Sequence, residues 1–238
     1  MFWDDIVLVT ELMSKYGLRE PLVDLGGLEH PSIADYERTI ATGDQGARFL
    51  RLKQRPFDHL APGYQIFNPD RGHPSIEQMP AQYSACFGTV LCLSVLEHVD
   101  NPFWVFDALS RVMKDDALLV VSTVFSFPYH PSPVDNWRFS PNCLRMLGES
   151  AGLRVLEADW RIQIPADKGI RNSQNGEPQE IRSVYAVYAK DRFEPRAGGP
   201  YTLPVPLADD PREPRAIGAK RLATVARSRL RPFKRHTR

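Results

Sequence analysis

Residues 89–99 read TVLCLSVLEHV and residues 125–141 read FSFPYHPSPVDNWRFSP, and these two segments decide the fold. The first begins with a nearly continuous apolar run at 89–94, which is typical of a strand buried on both faces of a sheet. A second apolar run at 117–125 leads into the other segment in the same way. In an open parallel sheet, ligands bind where the strands reach their carboxyl ends. The polar residues that follow both runs are therefore expected at one ligand-binding edge.

The rest of the chain alternates between helix and strand patterns around these segments. A helix is predicted over residues 101–114, because apolar side chains recur at helical spacing behind an Asn101 cap and a Pro102 start. An acidic turn at 115–116 is expected before the next strand. By the same criteria we expect helices over residues 6–16, 32–41 and 141–151, and strands over residues 20–25, 48–52, 63–67, 154–164 and 181–190. Strands that alternate with helices and finish as a strand pair predict an open α/β sheet with crossover helices.

Composition divides the 238 residues into three parts. An α/β domain is predicted over residues 1–192, a proline-rich linker over 193–215 and a basic tail over 216–238. The formal net charge of +1 conceals an asymmetry, because residues 211–238 hold ten Lys and Arg and a single Glu. A basic helical tail suits an anionic partner, either nucleic acid or a membrane surface. The alternative is a solubilising extension without a partner.

Cysteine usage and the first residues bear on the compartment. Three cysteines without a C-x-x-C pair favour reducing surroundings. The opening residues, MFWDD, carry acids where a secretory signal needs positive charge. The longest apolar run, at 117–125, is far shorter than the about 20 residues that span a bilayer. The sequence therefore predicts a cytoplasmic protein without a transmembrane segment.

The predicted strand at 20–25 runs directly into two glycines, and residues 22–27 read LVDLGG. Glycine lets the backbone approach a ligand closely, and a following helix can point its N-terminus at that ligand. Asp24, near the end of the strand, can accept a hydrogen bond from a cationic amine. The alternative is a purely structural strand-to-turn motif.

A carboxylate and an imidazole, Glu97 and His98, follow the strand at 89–94. A histidine beside a carboxylate can act as a general base, and these residues fall where ligands bind in open α/β sheets. The alternative is that His98 only caps and packs the strand-to-helix turn.

The long loop after the strand at 117–125 combines several reactive side chains with prolines, which is typical of a binding element. His130 can remove a proton from a substrate, with Asp135 orienting the imidazole. Trp137 and Arg138 can stack on and anchor a planar or anionic substrate. The alternative is a structural salt bridge between Asp135 and Arg138 beneath Trp137.

Together, the three segments resemble class I S-adenosylmethionine (SAM)-dependent methyltransferases. The likeness is to small methyltransferases whose motifs read LEHV and HPxPxDxWRFxP, and residues 96–99 and 130–141 here read LEHV and HPSPVDNWRFSP. It extends over residues 22–190 and is dense from residue 89 to residue 153.

The resemblance implies a Rossmann-like open sheet of about seven strands, with an antiparallel last strand and helices on both faces. It also implies SAM as the cofactor, bound across the carboxyl ends of the first and fourth strands. Asp24, Gly26 and Gly27 would contact the methionine part of SAM. Asp70, or Asn68 in its place, would bind the ribose hydroxyls. The remaining cofactor surface would be lined by Ile76, Glu77, Leu93 and Ser94.

The function that the resemblance implies is methyl transfer from SAM to an oxygen or nitrogen of a small-molecule or glycan acceptor. His130 or His98 would remove the acceptor proton, and Asp135 would orient His130. The substrate-binding residues would be Glu97, Trp137 and Arg138.

Two alternatives stay open. The family's loop continues with further glycines, whereas here Gly27 is followed by Leu-Glu-His-Pro, which favours a non-catalytic binding module that keeps the fold. SAM also has more than one electrophilic carbon, so SAM chemistry other than methylation is the other alternative. No metal site is expected, because the six histidines show no ligand spacing.

Overall fold

The computed structural model describes residues 3–26, 56–69, 72–130, 134–164, 176–196, 198 and 201. The chain separates into two compact units, Met1–Thr202 and Leu203–Arg238. The second unit, which includes the predicted basic tail, lies outside the described residues. Within the described ranges, no helix has both the length and the apolar character needed to cross a membrane.

The predicted helices and strands that fall on described residues are present, with ends shifted by a few residues. The helices are α1 (Trp3–Tyr16), α2 (Pro80–Tyr83), α3 (Pro102–Val112) and α4 (Pro141–Ser150), and a 3-10 turn spans Leu96–His98. The strands are β1 (Leu22–Leu25), β2 (Gln65–Phe67), β3 (Phe87–Leu93), β4 (Met113–Ser126), β5 (Arg154–Ile164) and β6 (Ile181–Ala189). The predicted helix at 32–41 and strand at 48–52 lie outside the described residues.

In the described chain the strands form one sheet of six in the order β2-β1-β3-β4-β6-β5. Strands β1 to β4 are parallel, while β6 runs antiparallel to both of its neighbours. These pairings confirm the predicted open α/β sheet with an antiparallel last strand, and they supply six of the about seven strands expected. The chain leaves β1 for β2 on one side and then crosses to β3 on the other. The strand order therefore reverses between β1 and β3, which is where open α/β sheets bind ligands.

Side chains of each strand alternate between the two faces of the sheet, and different helices cover the two faces. Leu118 and Val120 belong to the apolar cluster that includes α1, whereas Leu119 and Val121 belong to the cluster that includes α3 and α4. All four side chains are fully buried. Burial on both faces explains why the sequence of β4 is nearly continuously apolar, and it confirms that helices lie on both faces.

Capping residues fix the starts of two helices. The Asn101 side chain accepts hydrogen bonds from the N–H groups of Phe103 and Trp104 at 3.0 and 3.4 Å. The Ser140 hydroxyl accepts one from the Cys143 N–H at 3.2 Å. Each cap satisfies donors that the first helical turn leaves unpaired, so α3 and α4 begin where the sequence predicted.

The end of α3 differs from the prediction. The helix stops at Val112, and the acidic turn expected at 115–116 is instead part of β4, which begins at Met113. Met113 is buried and pairs with Phe87, and the Cys86 N–H donates to the Val112 carbonyl at 2.9 Å. These contacts hold the chain in an extended path directly after the helix, so another helical turn is excluded.

The first residues of the predicted linker contact α1. Phe193 is buried. The N–H groups of Arg196 and Gly198 donate to the carbonyls of Tyr16 and Ser14 at 3.1 and 3.0 Å. The described chain therefore continues to pack on this unit beyond residue 192.

Packing between α4 and β6 yields a stability prediction. Gly148 lies within α4 against the buried ring of Tyr188, and a Cβ on Gly148 would lie 2.1 Å from Tyr188 Cε1. Alanine usually stabilises a helix interior by about 1 kcal/mol over glycine. We nevertheless expect Gly148→Ala to lower the free energy of unfolding by about 1–3 kcal/mol, because the added methyl group overpacks the core.

Chemical denaturation measures this change. The control is Glu149→Ala, an exposed position in the same helix, which should leave stability within about 0.5 kcal/mol of wild type. A Gly148→Ala variant more stable than wild type would contradict the packing of Tyr188 described above.

Candidate functional site

The switch point between β1 and β3 brings two turns into close contact. Gly26 follows β1 with a φ of +76°, a left-handed conformation that glycine adopts without steric cost. A Cβ at this position would lie 2.4 Å from Val95 Cγ2, so only glycine allows the approach. Ser94, directly after β3, has a φ of +55° and donates its N–H to the Ser122 carbonyl at 2.7 Å. The ends of β1, β3 and β4 therefore meet at one edge.

Asp24 is buried in β1 at this edge, and neither of its carboxyl oxygens has a hydrogen-bond partner in the described part of the chain. Burial raises its pKa from the usual 3.8 to about 8, and the carboxylate of Asp5 adds to the increase. A buried carboxyl without a partner is costly in free energy. A cationic ligand group would supply both the charge and the hydrogen bonds that Asp24 lacks.

A buried ion pair near Asp24 was not predicted from the sequence. The Arg161 guanidinium, on β5, bonds Asp5 of α1 and donates to the Ser122 hydroxyl at 3.2 Å. Its Nη2 atom is buried and has no hydrogen-bond partner among the described residues. Asp5 precedes the helix predicted at 6–16 and Arg161 lies in the strand predicted at 154–164, and no local signal in the sequence pairs the two residues. Such a guanidinium can donate to a carboxylate of a ligand.

The predicted cofactor residues of β3 and of the segment before α2 differ in their surroundings. Leu93 is buried at the end of β3, next to Ser94 at the edge. Ile76 is buried in the apolar cluster on the α3 face, while Glu77 beside it is exposed. Of these four residues, Leu93 and Ser94 thus lie at the end of the central strand, and Ile76 contributes to the core.

The predicted ribose site is described only in part. Asn68 follows β2, and its N–H donates to His73 Nδ1 at 3.0 Å. Asp70, for which Asn68 was the alternative, lies outside the described residues, as does Gly27 after β1.

Glu97 connects the 3-10 turn to the loop that follows β4. Its side chain is only 1% exposed, and Oε2 accepts a hydrogen bond from the Thr123 hydroxyl at 2.7 Å. Its backbone carbonyl accepts from the N–H groups of Asn136 and Trp137 at 2.8 and 3.3 Å. The Trp137 indole N–H donates to the Val99 carbonyl at 2.8 Å. The loop is thereby fixed against the turn.

These contacts bring His98 and His130 together. The two rings meet edge to face with their centroids 5.0 Å apart. His98 Nδ1 bonds the Val134 carbonyl, and His130 Nδ1 lies 3.0 Å from the Pro128 carbonyl. A carbonyl can only accept a hydrogen bond, so in the neutral form of each ring Nδ1 carries the proton and Nε2 keeps a lone pair.

Asp135 joins His130 to Arg138. Its Oδ2 atom lies 3.2 Å from His130 Nδ1 and accepts the His130 backbone N–H at 3.0 Å. Arg138 bonds both carboxylate oxygens, with Nη2 donating to Oδ2 at 2.8 Å. The hydrogen bonds from Arg138, reinforced by the His130 N–H, lower the pKa of Asp135 to about 2. Asp135 is therefore anionic at neutral pH and can hold His130 in one orientation.

The predicted substrate-binding residues differ in what they can offer a ligand. Arg138 bonds Asp135 and donates to the Phe127 carbonyl at 3.1 Å, so the ion pair considered as the structural alternative is present. Trp137 keeps 39% of its surface exposed, which leaves ring area for a planar group. Glu97, by contrast, is enclosed.

The ligand-binding edge has two halves, one around Asp24 (the cofactor half) and one around Glu97, His98 and His130 (the acceptor half). Cys92, on β3, lies within electrostatic reach of both halves. Burial raises the pKa of its thiol, and the carboxylates of Glu97 and Asp24 raise it further. The same edge of the sheet thus contains the buried Asp24 carboxyl, which has no hydrogen-bond partner in the described chain, and the two oriented imidazoles of His98 and His130. Chemically, this arrangement suits a cationic ligand held beside a second molecule that loses a proton.

The raised pKa of Asp24 predicts a pH-dependent stability. The folded protein keeps the Asp24 proton up to about pH 8, whereas the unfolded chain releases it near pH 3.8. Between these values the unfolded state binds fewer protons, so the free energy of unfolding falls as pH rises, by up to about 1.4 kcal/mol per pH unit. We expect wild type to lose stability relative to Asp24→Asn as pH rises to about 8, with no further loss above it.

Urea denaturation of both proteins at successive pH values measures this difference. Taking the difference between the two proteins removes the contributions of other titrating groups. Parallel stability curves would show that the pKa of Asp24 is the same in the folded and unfolded proteins, and would contradict its burial without a partner.

No protein-family model matches the chain, and no curated protein matches it. Among solved structures, a SAM-dependent methyltransferase from Archaeoglobus fulgidus is 12% identical, with a TM-score of 0.44 over 78% of this chain and 94% of its own. The YcgJ protein from Bacillus subtilis is 12% identical, with a TM-score of 0.47 over 78% of this chain and 97% of its own. A SAM-dependent methyltransferase from Thermotoga maritima is 13% identical, with a TM-score of 0.40 over 79% of this chain and 90% of its own.

The strand order, the antiparallel last strand and the helices on both faces establish the fold class of the described chain. The protein has a Rossmann-like open α/β fold.

Proposed function

We propose that this protein is a SAM-dependent methyltransferase that acts on an oxygen or nitrogen of a small-molecule or glycan-type acceptor. The buried Asp24 carboxyl carries the proposal, because it has no hydrogen-bond partner in the described chain and lies at the switch point of the sheet. SAM presents an ammonium group that would satisfy it.

The residues around Asp24 fit the amino-acid part of SAM. Asp24 would bind the ammonium group, and Gly26 lets the turn after β1 pack against Val95, which follows β3 at the same edge. Arg161, whose Nη2 atom is a buried donor, would bind the carboxylate. Bound SAM would supply an electrophilic methyl group, so the protein's own contribution is alignment and removal of the acceptor proton.

The acceptor half supports a general-base role for His130. Its Nδ1 proton is held by the Pro128 carbonyl and the Asp135 carboxylate, so Nε2 has a lone pair with which to accept a proton. A nearby carboxylate also stabilises the imidazolium that results. His98 has the same tautomer and is the alternative base, with Nε2 3.9 Å from Glu97 Oε1.

Two other functions make distinct predictions. A non-catalytic binding module is favoured by the sequence LEHP after Gly27, and it predicts no product with any acceptor and no functional loss in Asp24→Asn. SAM chemistry other than methylation predicts new products from SAM without an acceptor, which mass spectrometry would detect.

Isothermal titration with SAM and with S-adenosylhomocysteine tests the cofactor half. We expect wild type to bind both, and Asp24→Asn to bind about 10- to 100-fold more weakly, because a hydrogen bond to a charged group contributes about 1.5–3 kcal/mol. Below about pH 8, binding should release a proton as Asp24 ionises, and this release should be lost in Asp24→Asn.

The matched control is Asp107→Asn, which removes an exposed carboxylate on α3 and should bind like wild type. Absence of binding by wild type at millimolar cofactor would refute the proposal. Equal affinities of wild type and Asp24→Asn would refute the role of Asp24 alone.

Turnover tests the base. S-adenosylhomocysteine formation would first be screened with hydroxyl and amine acceptors. With a responsive acceptor, we expect His130→Gln to lower kcat by about 100-fold or more with the affinity for SAM unchanged, because proton removal contributes that much to such reactions. The control is His59→Gln, which replaces a histidine that is hydrogen-bonded to Thr10 of α1, and this variant should retain activity. An unchanged kcat in both His130→Gln and His98→Gln would exclude either imidazole as the base.

A further inference from the structure

We propose that Glu97, His98 and His130 form a binding site for a divalent transition-metal ion of the Zn²⁺ type. Each residue offers one donor atom, and the three atoms lie within 4.8 Å of one another. The spacing of histidines in the sequence does not reveal this set, because two members follow β3 and the third follows β4. The site lies on the acceptor half of the edge, and the proposal does not depend on SAM binding at Asp24.

The donor set determines which ions fit. Two imidazole nitrogens and one carboxylate oxygen are typical of catalytic zinc sites, which keep a further position open for water or substrate. The same set also binds Fe²⁺, whereas Mg²⁺ and Ca²⁺ prefer oxygen ligands alone. We therefore expect Zn²⁺ and Co²⁺ to bind far more tightly than Mg²⁺.

The histidines are already oriented as metal ligands. A ligating histidine usually donates its other ring N–H to a carbonyl or carboxylate, which fixes the tautomer and directs the free nitrogen at the ion. His98 Nδ1 bonds the Val134 carbonyl. His130 Nδ1 bonds the Pro128 carbonyl and lies near Asp135. The Nε2 atoms of both histidines are therefore available to bind a metal ion through their lone pairs.

Glu97 is oriented in a similar way. Its Oε2 atom accepts the Thr123 hydroxyl, and its Oε1 atom lies 3.9 Å from His98 Nε2. One oxygen thus fixes the carboxylate, and the other faces the imidazole across a gap that an ion can occupy. Thr123 is a positioning residue in this arrangement, because it acts through Glu97.

The separations require only a small contraction on binding. Donor atoms around one tetrahedral zinc ion lie about 3.4 Å apart, given bonds of about 2.0–2.2 Å. The 3.9 Å gap between Glu97 and His98 exceeds this separation by about 0.5 Å, and the limit of 4.8 Å for the set exceeds it by about 1.4 Å. Rotation of the His130 side chain, which is 32% exposed, can supply the movement while the loop backbone stays in place.

The charges around the cluster also favour a cation. Glu97 brings one negative charge into a buried position. Arg138 lies within electrostatic reach of Glu97, but its charge is balanced by Asp135, which bonds it through both oxygens. The ion would therefore meet a net negative site.

A metal ion here would change how the acceptor is activated. An acceptor hydroxyl at the open position would have a lowered pKa and would release its proton to water more readily. A nitrogen whose lone pair binds an ion cannot also accept a proton. The base role and the ligand role are therefore alternatives for the same Nε2 atoms.

Metal binding to the purified chain tests the proposal without any assay of methyl transfer. Isothermal titration with ZnCl₂, and the visible absorption of bound Co²⁺, should report one ion per chain for wild type. His98→Ala and His130→Ala should each weaken binding by at least about tenfold, since even the loss of a partner behind a metal ligand costs about 10- to 100-fold. Thr123→Val should weaken binding by about tenfold through Glu97.

The control variant is His73→Ala, which removes an exposed imidazole outside the cluster and should bind like wild type. Circular dichroism of each variant establishes that it is folded. Because Glu97 is buried, the two histidine variants rather than a Glu97 variant decide the outcome. Zn²⁺ binding that persists unchanged in the double variant His98→Ala/His130→Ala would overturn the proposal, and so would the absence of micromolar binding by wild type.

Discussion

Hydrogen bonds between the 3-10 turn and the loop after β4 hold the acceptor half of the site together. The N–H groups of Asn136 and Trp137 donate to the Glu97 carbonyl, and the Trp137 indole donates to the Val99 carbonyl. Ordering a loop costs about 1–2 kcal/mol per residue, whereas one hydrogen bond returns about 1 kcal/mol. Several bonds must therefore act together before His130 can hold a fixed position beside His98. Both the proposed base role and the proposed metal site depend on that position.

Two carboxyl groups of the same chemistry have opposite properties at this edge. Burial raises the pKa of Asp24 to about 8, while hydrogen bonds from Arg138 lower that of Asp135 to about 2. Near neutral pH, Asp24 is therefore protonated until a cation arrives, and Asp135 is always ionised. Groups whose surroundings push their pKa values apart usually have separate tasks. This separation agrees with the proposed roles, in which Asp24 binds a cationic ligand and Asp135 orients His130.

The parts of the fold that were predictable depend on local sequence. The apolar runs of β3 and β4 and the capping residues Asn101 and Ser140 determine elements by themselves, and these elements are where they were expected. The early start of β4 was not predictable, because it depends on Met113 packing against a strand distant in sequence. Local acidic residues at 115–116 suggested a turn, and a tertiary contact overrode that preference.

The candidate site shows the same limit. Its location at the ends of β1, β3 and β4 followed from the sequence, because carboxyl ends of parallel strands share an edge. The contacts between side chains did not follow. For Arg138 the sequence left two roles open, a substrate anchor and an ion pair with Asp135, and the structure contains the ion pair. Arg161 and Asp5 are far apart in sequence, and only the packing of α1 on the sheet brings them together.

The contrast between Asp5 and Asp24 argues that position 24 is not retained for stability. Both side chains are 1% exposed, but Asp5 bonds the guanidinium of Arg161, whereas Asp24 has no partner among the residues that the structure describes. An apolar side chain at position 24 would continue the core of β1 and avoid the cost of burying a carboxyl. The left-handed turn at Gly26 directly follows and admits the close approach of Val95. Gly26 therefore accounts for the packing of Val95, whereas Asp24 makes no contact in the described chain that offsets the cost of its burial. A cationic ligand at this edge, as proposed for SAM, would offset that cost.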